Sequence, residues 1–342
     1  MIVYLILLAA LVASVLIPLA DQKKRDIRFI VLSAILFLLS AFRKGIGTDF
    51  VSYQQYYQGL LNGVIPAADF ELGYYLLNHI LAYFGCHYQL LFILTSAAIV
   101  GLVCVTIKKY SQNPELSLLL YVALYFYFSS YNIVRQHIAI ACIFFAVRYL
   151  MDKQVWKYML WVLIASLFHR SVLIMVPLYF LLNLKIPVKF RWVIIGAGVL
   201  GALFGRQLLS MLLRLVPKYS IYAEFEAGSA WCDLAVIVMN LILLHISAST
   251  PKREEKTNLF INASLFSFLF AALAFCNVLF ARIYPYMHIL SVLSIPYAIT
   301  GVPKGKRKLL LIAVSVVACV VCLYYFIGNN GQVVPYQITD FK

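Results

Sequence analysis

The chain has 342 residues, 64% of them hydrophobic and 12% charged, with a mean hydropathy of +0.91; that composition belongs to a polytopic helical membrane protein and leaves no stretch long enough for a soluble catalytic domain. Its net charge of +15 would suit nucleic acid, but the basic residues stand in short clusters between apolar runs. That pattern marks topology and anionic-lipid contact and excludes a nucleic-acid partner.

The seven cysteines are scattered, and Cys319 and Cys322 lie in an apolar run without a histidine or a second pair, so neither zinc nor redox chemistry is expected. The first span runs from Ile2 to Leu19, since roughly 20 apolar residues at ~1.5 Å each cross ~30 Å of hydrocarbon. No basic residue precedes it and its charges follow it, so it reads as a span rather than a cleaved leader, with the basic loop Asp21 to Arg28 inside.

Phe29 to Phe42 returns and delivers the turn Arg43-Lys44-Gly45-Ile46-Gly47-Thr48-Asp49 to the outer side. Tyr53, Tyr56, Tyr57, Leu60 and Leu61 then form a helical-period stripe, which predicts an amphipathic helix over Val51 to Leu61 in the headgroup layer. Glu71 to Leu81 is apolar but short, and reads as interfacial or re-entrant. The next span, Leu90 to Ile107, must end inside at Lys108 and Lys109, so 43–87 is one outer loop.

Leu116 to Ser130 and Ile138 to Leu150 form a hairpin with Tyr131 to His137 at its outer tip. The segment 155–183 is flanked on both sides by basic residues and interrupted by Phe168-His169-Arg170-Ser171. This predicts two arms of ~20 Å each with His169 and Arg170 at a polar apex; one long span with those residues buried is the alternative, and it breaks the positive-inside pattern. Further spans run over 193–215, 231–248, 259–276, 283–300 and 309–327, with an outer loop at 217–226 and basic inner loops at 252–256 and 304–308. The expected fold is therefore all-α, a single transmembrane domain of about twelve spanning helices plus an interfacial or re-entrant helix.

Arg43-x-x-x-Gly47-Thr48-Asp49-x-x-x-Tyr53, Glu71-x-Gly73-Tyr74, Asn132-x-x-Arg135-Gln136-x-x-Ala139, Phe168-His169-x-Ser171 and Arg282 near Tyr286 occur in this order. The ordered set, over nearly the whole chain, resembles the EpsG-like, Wzy-type exopolysaccharide polymerases that make O-antigen or capsule. The resemblance implies a GT-C-like arrangement that joins undecaprenyl-diphosphate-linked oligosaccharide repeats at the outer face of a bacterial plasma membrane. Donor and acceptor lipids are then the substrates, and a flippase and a chain-length regulator the pathway partners. No cofactor is implied, since the glycosyl–diphosphate bond carries the energy; the absence of a Walker-type loop agrees.

Such a reaction needs fixed cations for the leaving diphosphate, a base for the attacking hydroxyl and an aromatic, amide-bearing groove for sugars. Arg43, Arg135 and Arg282 are the diphosphate candidates, each otherwise a solvated loop cation or a lipid anchor; Lys44 reads as an anchor. Asp49, Glu71 and His169 compete as the base. Otherwise Asp49 caps the helix at 51–61, Glu71 starts its own helix, and His169 is a satisfied structural residue. Thr48, Tyr53 and Gln136 complete the substrate-binding set, with Tyr53 equally readable as an interfacial aromatic and His137 as an orienter of its loop. No cluster has metal-ligand spacing, so metal-independent transfer is expected. A flippase would carry polar groups in both membrane halves and an internal repeat. A membrane O-acyltransferase would need a buried histidine reached from inside. Here the candidates gather on one predicted side.

Overall fold

Long apolar runs punctuated by Pro, Asn and Asp give helices with identifiable starts. In the computed structural model the described residues are 1–64, 70–214, 230–247, 254–329 and 331–339, so the expected loops at 217–226 and around Lys252 and Arg253 lie outside them. Among the described residues all regular structure is helical, apart from an isolated antiparallel bridge between Arg43 and Ile338. The chain divides into two units, Met1–Arg148 with Trp156–Leu173 and Lys304–Lys342, and Tyr149–Val155 with Ile174–Pro303.

In the first unit, α1 (Ile2–Leu16) and α2 (Gln22–Ala41) are followed by α3 (Phe50–Leu61), α4 (Leu72–Tyr83), α5 (Gln89–Tyr110) and α6 (Pro114–Ala123). Asp21 accepts from the Lys23 N–H at the start of α2, and Asn113 from the Leu116 N–H ahead of Pro114 at the start of α6. From Glu115 to Ala123 every residue of α6 is buried, as a helix apolar on nearly all sides demands. The short α7 (Phe126–Ser129), α8 (Val134–Phe145), α9 (Val147–Met151) and α10 (Val155–Ser166) continue the chain; α9 and the start of α10 fall at the junction with the second unit. That unit holds α11 (Met175–Leu182), α12 (Val188–Arg214), α13 (Trp231–Ser247), α14 (Glu254–Leu273), α15 (Val278–Ala281), α16 (Pro285–His288) and α17 (Ser291–Gly301). The last helix, α18 (Lys304–Gly328), rejoins the first unit along α1 and α6.

The two ends of the first unit differ chemically. At one, Arg25 and Arg28 converge on buried Glu115 at 3.2 and 3.3 Å, and Lys108 pairs with Asp26. At the other end of α2 and α5, Gln89 donates to the Ala41 carbonyl and the Arg43 turn begins.

The helices are more broken than the expected spans. Among the described residues four are long and apolar enough to cross a membrane (Gln89–Tyr110, Val188–Gln207, Glu255–Leu273 and Lys304–Gly328), or up to five if the pair Val278–His288 and Ser291–Gly301, bent by 46°, counts as one. Shorter apolar helices of 10–17 residues make up much of the rest. The expected 116–130 span, for example, stops at Tyr125, whose φ of 69° cannot continue a right-handed helix. A hydropathy window does not see such a break, because tyrosine and phenylalanine stay apolar on both sides of it.

Candidate active site

Glu71 organises the polar end of the first unit. It occupies the N-cap position of α4 but makes no side-chain capping bond. Its Oε2 instead accepts from Arg135 Nη1 at the first turn of α8, and its Oε1 lies 3.1 Å from His169 Nδ1 and 3.2 Å from the Arg170 backbone nitrogen, which donates to it. The fit between α4 and the 167–170 loop depends on Gly73, whose N–H donates to the Leu167 carbonyl at 2.7 Å; a Cβ there would stand 2.8 Å from that oxygen.

Burial pushes the Glu71 carboxyl up. Its own backbone N–H, the Arg135 guanidinium, the Arg170 N–H and His169 together outweigh burial and hold it below its ordinary value. Glu71 is therefore an ionised hydrogen-bond acceptor shared by three donors. Such a carboxylate is a weak base but a strong orienter: with Nδ1–H donated to it, the His169 ring keeps its lone pair on Nε2.

An aromatic shell surrounds the pair. The Arg135 guanidinium lies over the Phe70 ring, 4.7 Å from its centroid, and hydrogen-bonds to the Tyr53 side chain. Tyr53 and Phe70 pack with Tyr74 from α4 and with each other, and Tyr56 packs on Phe70. Tyr53, Glu71, Arg135 and His169, chosen separately along the sequence, thus meet in one place.

The other candidates stand elsewhere. Arg43 is 1% exposed. Its guanidinium is held between Phe92 and Tyr131, 4.8 Å from each centroid, and donates to the Ser40 carbonyl in the last turn of α2. Reading it as a solvated loop cation is therefore corrected: two π faces and a helix C-terminus enclose it, so reaching a ligand would require displacing those rings. Thr48 donates its hydroxyl to Asp49 at 3.0 Å, and its N–H to Asn132 Oδ1 at 2.7 Å. Asp49 precedes α3 at the N-cap position but makes no capping bond. Gln136 is buried beside Arg135, and His137 bonds Ser129 at 2.8 Å. Arg282 belongs to the second unit, directly after α15.

Several partnerships carry no readable sequence signal. Asn132 clamps two segments, since its Nδ2 also donates to the Gly331 carbonyl at 3.1 Å. The tail after α18 forms a strap across the 42–47 turn: the Lys44 N–H donates to Gln337, the Gly47 N–H to Gln332, and the Thr339 N–H to Phe42. Gly47 has a φ of +102° and leaves no room for a Cβ beside Asn132. In the second unit, the Tyr284 hydroxyl donates to Asp233 Oδ2 at 2.6 Å, with His288 Nε2 at 3.6 Å from the other oxygen; Asp233 stands alone in an apolar run and belongs to no motif.

Comparison with known proteins gives one family. The sequence model of the EpsG family matches residues 26–338. No curated protein and no solved structure matches the chain.

Proposed function

The chain belongs to the EpsG family, a family of Wzy-like polymerases, and from that membership we propose that it polymerises lipid-diphosphate-linked oligosaccharide repeats into an exopolysaccharide, O-antigen or capsule glycan. The observation that carries the reading is the Glu71 clasp: one carboxylate fixes a guanidinium and an imidazole beside a set of tyrosines.

In the proposed step Arg135 receives the diphosphate of an undecaprenyl-linked donor, its planar donors matching two phosphate oxygens. The hydroxyl oxygen of the acceptor repeat attacks the anomeric carbon. The bond from that carbon to the diphosphate oxygen breaks, and its electron pair leaves on the diphosphate, which Arg135 stabilises. The hydroxyl proton passes to His169 Nε2, with Glu71 stabilising the imidazolium as it forms. Tyr53 supports Arg135 and offers the sugars an aromatic surface. Arg282 remains a proposed diphosphate contact, carried by its rarity as a cation on the predicted outer side.

The same reading places the site at the outer face of a bacterial plasma membrane, in about twelve crossings with a GT-C-like layout, and acting with a flippase and a chain-length regulator. A flippase for the same lipid is the alternative, and a deletion strain separates the two. Loss of the polymerase leaves single lipid-linked repeats exposed outside, whereas repeats held on the cytoplasmic leaflet would overturn the proposal.

A further inference from the structure

The second unit carries two neighbouring cavities that the polymerase reading does not use. Helices α12 and α13 both pack on α14, and between them lies an apolar groove of 440 Å³. Ile261, Leu265 and Phe268 of α14 are among its lining, with Ile195 from α12 and Ile242 from α13. Arg191 and His245 are the ionisable groups on its lining. A second cavity of 270 Å³ is lined by Lys153, Lys185, Lys256, Asp152, Glu255 and amides including Asn258. The two adjoin across one contact, because Arg191 Nη2 donates to Asn258 Oδ1 at 2.9 Å while its Nε is held by the Ile186 carbonyl at 3.0 Å. The guanidinium is thereby fixed at the boundary between a charged chamber and an apolar one.

We propose that these two cavities bind one anionic phospholipid with a polyhydroxy headgroup, of the phosphatidylglycerol type. The phosphodiester sits with Arg191, Lys185 and Lys256, and one acyl chain lies in the groove. Among the described residues neither Lys185 nor Lys256 has a carboxylate partner, whereas Lys153 is paired with Glu255 at 3.1 Å. The chamber therefore presents an excess of positive charge to a phosphate, and Asp152 and Asn183 offer acceptors to headgroup hydroxyls. Length favours a phospholipid over a polyprenyl chain. From Ile261 to Phe268 the floor spans about 10 Å, at ~1.5 Å per residue, which fits within the ~15 Å of one leaflet. Lys185 and Arg191 belong to the basic flank that follows 155–183, and Lys256 to the basic loop at 252–256, both expected on the inner side, where anionic lipid attracts such clusters.

The test is native mass spectrometry of the full chain, purified in a mild detergent and offered phosphatidylglycerol, phosphatidylcholine or undecaprenyl phosphate. The expected result is one retained phosphatidylglycerol per chain and no comparable retention of phosphatidylcholine. Lys185→Glu combined with Lys256→Glu should lower that retention about tenfold through the head chamber. Ile242→Trp, which fills the groove from an exposed wall position, should lower it about tenfold through the tail. Equal retention of phosphatidylcholine, preference for undecaprenyl phosphate, or undiminished retention in both variants at wild-type thermal stability would overturn the proposal. None of these readouts depends on polymerase activity.

Discussion

At the scale of single residues, Glu71 is the position where charge, burial and geometry meet. Because its carboxyl is held below its ordinary value of 4.5, the stability it contributes is complete above that range and lost only as pH falls through the lowered value. Glu71→Gln should therefore destabilise the protein by about 1–3 kcal/mol at pH 8 and by no less at pH 5, with the difference closing only at more acid pH. Thermal unfolding across that range checks it; a gap that already closes at pH 6 would mean that Glu71 is not ionised through its three donors. Gly73 offers a second check. Gly→Ala inside a helix ordinarily stabilises by ~1 kcal/mol, but here the Cβ would meet the Leu167 carbonyl at 2.8 Å. Gly73→Ala should lower both stability and polymer yield, and gain in either would contradict the close fit of α4 to the His169 loop.

At the scale of elements, helices were legible where a local pattern decides them, but caps were not: Asp49, read as the cap of the 51–61 helix, makes no capping bond. The stripe over Val51 to Leu61 is the helix α3, and the polar interruption at His169 is a real break between α10 and the turn at Arg170. The individual members of the Glu71 clasp were also legible, as polar residues in an apolar chain. Their meeting was not, since the partners of Glu71 lie 64, 98 and 99 positions away and no periodicity encodes that distance. The strap was hidden for another reason: its bonds run between backbone groups of residues 332–339 and 42–47, so side-chain pattern says nothing about them. It explains how the Arg43 turn is held, and through Asn132 it reaches the segment that opens α8. Ending the chain after Gly328 should leave membrane insertion intact and reduce long glycan at least tenfold, since the unpaired turn no longer fixes Asn132 three residues before Arg135. Unchanged glycan length in that truncation would show the strap to be dispensable.

At the scale of the whole molecule, a polymerase of this kind needs the clasp of the first unit on the outer side and the Arg25, Arg28 and Lys108 cluster on the inner side. Ser52 is exposed on α3, so Ser52→Cys, in a background whose native cysteines are replaced, should react with an impermeant thiol reagent in intact cells. Reaction only after permeabilisation would invert the topology. The central claim, that Arg135 held by Glu71 receives the lipid diphosphate, is tested most directly by the glycan ladder made from a lipid-diphosphate-linked repeat by purified wild-type, Arg135→Lys and Arg135→Ala protein. The ladder should vanish in Arg135→Ala, with about a hundredfold or greater loss of rate, and recover only weakly in Arg135→Lys, which lacks the planar fork. A wild-type ladder from folded Arg135→Ala protein would contradict the account.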